Sequence, residues 1–234
     1  MTAAIPEQSA GTTVKYIVSA WNTGGGPEVF GNSGSCTNSS CAARFQYNVI
    51  AQPPVPLIIS EFRLRGLNGA DDEFIEIYNN SNSPHTVAAL DGSAGYGVAA
   101  SDGVLRFAIP NGTVIPARGH YLVAGLSYFS TYPYGAPDRN YAQGIADNAG
   151  IALFKMADAA SFNLANRLDA VGSTAEPKPL YKEGAGYAPT GMNNFNYSFS
   201  RDENTGSGGS PDNGCAPLPK DSNDNAADFL LVYP

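Results

Sequence analysis

The sequence predicts an all-β sandwich, and three observations carry that prediction. Glycine (26) and proline (17) are plentiful among 234 residues, while charged residues make up only 15%. Apolar residues recur as short alternating runs with the period of a strand, broken by Gly, Asn, Asp, Ser and Pro. Long helical periodicities are nearly absent, and many short strands with turn signals between them suit two packed sheets. The length gives ample apolar material for a core in one or two domains.

Residues 12–21 (TTVKYIVSAW) alternate with Val14, Tyr16, Val18 and Ala20 on one face and Lys15, Ile17, Ser19 and Trp21 on the other. Residues 44–50 (RFQYNVI) are a second strand candidate, after a Gly/Asn/Ser loop that carries Cys36 and Cys41. Two strands alone are marginal in water. Residues 51–56 (AQPPVP) read as a stiff linker. The expected organisation is a strand pair over 1–50, a linker over 51–56 and a sandwich over 57–234.

Residues 57–80 (LIISEFRLRGLNGADDEFIEIYNN) organise that sandwich. Strict alternation places Ile58, Ser60, Phe62 and Leu64 on one face and Ile59, Glu61, Arg63 and Arg65 on the other. In the second run Phe74, Glu76 and Tyr78 oppose Glu73, Ile75 and Ile77. The break at 66–72 holds Asn68-Gly69, a turn signal, so a hairpin or two strands in facing sheets is expected.

Residues 86–96 are short and turn-rich. Strands are expected over 105–109 and 119–124, with the Pro110-Asn111-Gly112 turn and residues 113–116 between them. An aromatic loop follows (SYFSTYPYGAPDRNYAQG), then strands over 151–156 and 166–172 around a single helical turn within 157–164. A long Gly/Ser/Asn/Pro-rich stretch ends in a last run over 227–233.

Net charge is −8 and the pI is near 4.6. Nucleic-acid binding is disfavoured, because phosphate contacts need clustered cations and the 13 Lys and Arg are scattered. An acidic, Lys-poor surface fits a secreted or cell-surface protein, and also a calcium-using module. The three cysteines lie in loop-like stretches, which suits an oxidising compartment. Cys36 and Cys41 are the expected disulfide, leaving Cys215 over; three free thiols are the alternative. No stretch is long enough to span a membrane. The N-terminus shows no basic start and no apolar run of signal-peptide length, so Met1 is expected not to be the natural beginning of the polypeptide.

Residues 57–234 resemble a lamin tail domain of the bacterial type. The resemblance rests on ordered motifs: LIISEFRLRG then DEFIEIYNN, residues 109–123 (IPNGTVIPARGHYLV), 147–153 (DNAGIAL), 167–172 (RLDAVG), Glu183-Gly184, Arg201, and 221–229 (DSNDNAADF). Arg118-Gly119-His120 departs from the family's usual Pro-Gly-Gly, which changes a turn. The segment IPEQSAGTTVKYIVSAWNTGGG resembles the final strand pair of a fibronectin type III-like module; the alternative is a decorated hairpin of the main domain. The resemblance implies an immunoglobulin-like sandwich, without catalytic residues, acting as an interaction module. Similar bacterial domains sit in secreted or surface multidomain proteins, often beside nuclease or phosphoesterase domains.

The residues themselves offer little catalysis. His85 and His120 are the two histidines, and neither stands near a nucleophile elbow, a His-Glu-x-x-His pair or a phosphate loop. Glu61 and Glu76 are read as partly buried structural ion pairs with Arg63, Arg106 or Arg201. Asp221, Asn223 and Asn225 space oxygens like the start of a calcium loop, with Asp228 nearby; the loop lacks the EF-hand Gly and Glu. The competing reading is an Asx-turn network before the last strand. Tyr128, Phe129, Tyr132, Tyr134 and Tyr141 form a possible binding loop, against which stands a loop packing its own rings.

The expectation is a non-catalytic interaction, adhesion or targeting module of a larger secreted or cell-surface bacterial protein, facing a protein or polysaccharide partner and using no obligatory cofactor. The alternatives are a carbohydrate-binding module using the tyrosine loop and an accessory domain of a secreted nuclease or phosphoesterase.

Overall fold

The computed structural model describes residues 13–16, 19–20, 29–30, 45–48, 56–129, 135–191, 194–202 and 218–233. The chain divides into two compact units, Met1–Pro53 and Pro54–Pro234. Cys36, Cys41, Cys215, Tyr132 and Tyr134 lie outside the described residues.

In the first unit β1 (Thr13–Tyr16) pairs antiparallel with β4 (Phe45–Asn48), from Thr13 opposite Asn48 to Tyr16 opposite Phe45. β2 (Ser19–Ala20) pairs with β3 (Val29–Phe30).

The second unit is the expected all-β sandwich. One sheet has six strands in the order β12-β11-β6-β5-β15-β16: β5 (Leu57–Arg63), β6 (Phe74–Asn79), β11 (His120–Gly125), β12 (Arg139–Tyr141), β15 (Ser198–Arg201) and β16 (Phe229–Val232). The other has four in the order β14-β13-β8-β9: β8 (Gly95–Ala100), β9 (Leu105–Pro110), β13 (Ile151–Phe154) and β14 (Arg167–Val171). A small ribbon joins β7 (His85–Thr86) to β10 (Val114–Ile115). All pairings are antiparallel except β11 with β12, which run parallel. No helix among the described residues is long and apolar enough to cross a membrane.

The main core lies between the sheets and includes Leu57, Ile59, Phe62, Leu64, Ile75, Ile77, Val98, Ile109, Val123, Leu153 and Phe199. The hairpin of β5 and β6 forms as expected, but the face assignment in β5 is corrected. Ile59 pairs with Ile77 and Glu61 with Glu76, so Ser60 is an extra residue and the register shifts there. Such a β-bulge sends the chain past one residue without a partner. The core face therefore reads 57, 59, 62, 64 in place of strict alternation.

β8 was not expected as a strand, since GYGVAA neither alternates nor carries many β-branched residues. It is buried along its whole length because the four-stranded sheet is covered on both faces. Behind it lies a second cluster of Ala99, Ala152, Phe154, Ala170 and Tyr181 with Phe162 and Leu180. Phe162 stacks on Phe154 with ring centres 4.3 Å apart. The expected helical turn is a 3₁₀ turn at Ala159–Ser161, where the Asp158 side chain accepts from the Ala160 N–H. A second 3₁₀ turn, Pro179–Tyr181, brings Tyr181 and Leu180 onto the sheet. The chain enters β16 through a single α-helical turn, α1 (Asn225–Asp228), capped by the Asp224 side chain.

Candidate functional site: a buried ion cluster and an aromatic groove

Two places concentrate chemistry, one sealed and one open. The sealed one starts from β5, at the bulge. The Ile59 N–H donates to Asp169 Oδ2 at 2.6 Å, and the Ile59 carbonyl accepts from Arg201 Nε at 2.8 Å. Asp169 stands on β14 in the opposite sheet, so this pair of side chains joins the two sheets. Arg201 Nη2 lies 2.8 Å from each Asp169 oxygen. Its Nη1 donates to the Lys220 carbonyl at 2.8 Å and reaches Asp228 at 3.4 Å and Asp221 at 3.5 Å. The Phe229 ring lies under the guanidinium at 4.7 Å.

The stretch around 221–229 is stitched by its own side chains. Asp228 accepts from the Ser222 hydroxyl at 2.6 Å and the Ser222 N–H at 2.9 Å. Asn225 Oδ1 accepts from the N–H groups of Gly172 and Glu183, and its Nδ2 donates to the Ala170 carbonyl. Asn223 takes a left-handed backbone (φ 58°), a conformation Asn tolerates. This is the Asx network, and it corrects the proposed calcium set: Asn225 and Asp228 are spent on the fold, and Asn223 faces solvent. Only Asp221 of the four joins a carboxylate cluster, with Asp169 and Glu183.

Arg201 is thus in a buried ion cluster as expected, but with other partners. Arg63, Arg106 and Arg201 pair with Asp72, Asp102 and Asp169. Glu61 and Glu76 do not receive them. These two glutamates face each other across β5 and β6 on the outer side of the sheet. Glu76 meets His120 Nδ1 at 2.8 Å and accepts from Ser60 Oγ at 2.7 Å. The Glu61 carboxyl is held above its ordinary pKa, by burial first and then by the Glu76 charge, against the pull of a Ser198 hydrogen bond.

Two other carboxyls were not read as site residues from the sequence. Glu73 is fully buried and accepts from Tyr141 Oη at 2.8 Å and the Ile145 N–H at 2.7 Å. Burial pushes it up to about 7 in spite of those hydrogen bonds. Glu183 Oε1 accepts from Arg167 Nη2 at 3.0 Å, while its Oε2 is buried with no hydrogen-bond partner among the described residues. Burial, then the Asp169 charge, raises its pKa.

The open place is a shallow groove of about 70 Å³ on the outer face of the six-stranded sheet. It is lined by Glu61, Arg63, Phe74, Tyr128, Phe129, Asn196, Tyr197, Ser198, Val232 and Tyr233. Phe129 is 43% exposed and Tyr233 66%. Tyr128 packs edge-on against Phe74, and the Arg63 guanidinium lies over both rings. Asp72 fixes the wall: it pairs with Arg63 at 2.5 Å and accepts from the N–H groups of Phe129 and Asn68. Of the aromatic loop, Tyr128 and Phe129 therefore reach an open surface. Tyr141 does not: it is 4% exposed, stands on β12, and its ring packs on Phe107 inside the core.

No family model matches the chain, and no curated protein matches it in sequence. Among solved structures it is similar to the crystal structure of a DUF4876 family protein from Bacteroides thetaiotaomicron. The two are 16% identical, with a TM-score of 0.43 over 96% of this chain and 84% of that one. So loose a likeness assigns neither a site nor an activity.

Proposed function

We propose that the sandwich is a non-catalytic interaction module of the lamin-tail kind, working as an adhesion or targeting part of a secreted or cell-surface protein. Its contact surface is the groove lined by Tyr128, Phe129 and Tyr233 beside Glu61 and Arg63. The observation that carries this reading is the split between the two places. The buried charges around Arg201 hold the sheets together, whereas the exposed aromatic surface is made by residues just beyond β11 and β16, beside polar side chains of β5. Exposed rings beside a few placed polar groups are how proteins engage a protein edge or a sugar ring.

A second reading is favoured by the exposure of Phe129 and Tyr233 in the same groove as polar Glu61 and Asn196: a polysaccharide chain laid along the groove. Sedimentation of the chain with insoluble polysaccharides, and with intact cell envelopes as the protein-rich surface, separates the two. Binding in either assay that falls at least tenfold in Phe129→Ala and Tyr233→Ala supports the groove. Binding equal to wild type in both variants overturns it. Hydrolysis of DNA or a phosphodiester by this chain overturns the non-catalytic reading.

A further inference from the structure

We propose that Asp169, Glu183 and Asp221 form a site for one hard divalent cation, calcium above magnesium. Each offers a carboxylate oxygen, and those atoms lie within 4.8 Å of one another. They come from three separate parts of the chain: β14, the loop after the second 3₁₀ turn, and the loop before α1. Oxygen donors without nitrogen or sulfur select calcium or magnesium over zinc and copper.

The unpartnered atom sets this cluster apart from an ordinary acidic patch. Glu183 is 5% exposed and its Oε2 meets no donor among the described residues. A buried carboxylate oxygen with nothing to accept is costly, and native folds rarely leave one so. Asp221 is also weakly held, since its nearest donors stand at 3.4 Å (the Asn223 N–H) and 3.5 Å (Arg201). Its side chain is 18% exposed, which gives a cation an entry and gives bound water a place on the outer side. Calcium takes six to eight ligands at flexible geometry, so three carboxylates plus water suit it better than the strict octahedron of magnesium.

The charges point the same way. Asp169, Glu183, Asp221 and Asp228 face Arg201, Arg167 and the Lys220 amine 3.9 Å from Asp228. Fully ionised, these carboxylates outnumber the cations by one, a balance that either a proton on Glu183 or a bound cation closes. Asp169 already accepts from Arg201 and from the Ile59 and Ala170 N–H groups, so the cation's main protein ligands are Glu183 Oε2 and Asp221, with Asp169 at the edge of the site.

The test is thermal unfolding of the whole chain, stripped with a chelator, then titrated with calcium chloride or magnesium chloride. Calcium at a hundredfold over its Kd raises Tm by roughly 5–10 °C, magnesium raises it less, and a chelator reverses it. Glu183→Gln and the partly exposed Asp221→Asn abolish the shift, while Asp158→Asn, on the surface elsewhere, keeps it. Should Glu183→Gln fail to fold, Asp221→Asn with calorimetric titration of calcium decides. An unchanged wild-type Tm at 10 mM of either ion, or a shift that survives in Asp221→Asn, overturns the site.

Discussion

Arg201 Nη2 sits 2.8 Å from both carboxylate oxygens of Asp169, and this pair bridges the two sheets with each side chain sealed from solvent. The two residues also take the Ile59 N–H and carbonyl, backbone groups at the bulge where β15 and β5 no longer pair. Truncating Arg201 strands Asp169 and Asp228 as uncompensated charges. Arg201→Met is therefore expected to cost about 3–5 kcal/mol in chemical denaturation. Adding Asp169→Leu should recover part of that loss, because the orphaned charge goes with it. A single variant within about 1 kcal/mol of wild type would show that the pair is incidental to stability.

Glu73 makes stability depend on pH in a definite direction. Its folded pKa of about 7 lies above the ordinary 4.5. The folded form therefore binds the proton more tightly, and the stabilisation tied to it is complete below pH 4.5. It is lost as pH rises through 7 and stays flat above. Wild type should lose about 3 kcal/mol of unfolding free energy relative to Glu73→Gln between pH 4.5 and 7.5. Parallel pH profiles for the two proteins would mean that Glu73 ionises normally.

Much of this architecture could be read from residue patterns, and the failures have physical causes. The β5–β6 hairpin, β9, β11, β13, β14 and the last strand follow from alternation of apolar residues. β8 escaped because a strand buried on both faces has no reason to alternate, and its small residues allow close packing: Ala99 lies in the cluster with Tyr181, and Gly97 lies against the Met156 carbonyl and Leu105. Ser60 misplaced one face because a bulge leaves no mark in composition. Arg201 was recognised as buried and paired, yet its partner was wrongly chosen. Glu76 is near it in pattern, while Asp169 comes from the other sheet, a contact that only the packing of two layers creates. Glu183 stood out only within a Glu-Gly motif, with no local signal of its burial.

Asn225 shows how the acidic stretch before β16 serves the fold. One amide side chain closes three backbone groups belonging to Gly172, Glu183 and Ala170, all buried. Asn225→Ala leaves those groups without partners and should cost about 3 kcal/mol. Asn225→Asp keeps the acceptor but loses the donor to Ala170 and adds a negative charge, so it should be no milder. A loss under about 1 kcal/mol in the alanine variant would mean that water replaces the side chain easily.

Tyr141 and Phe129 separate the two roles within the aromatic loop. Tyr141→Phe keeps the ring on Phe107 but removes the hydroxyl that donates to Glu73. It should lower stability by about 1–2 kcal/mol and leave groove binding unchanged, because Tyr141 never reaches the surface. Phe129→Ala should do the reverse. Phe129 is 43% exposed, so less burial is lost than for a core ring, while its N–H still donates to Asp72 and holds the groove wall. Denaturation and sedimentation assays on the two variants check both halves. If Phe129→Ala proved the more destabilising, the ring would be packed in solution, and the groove would lose the residue that makes it a contact surface.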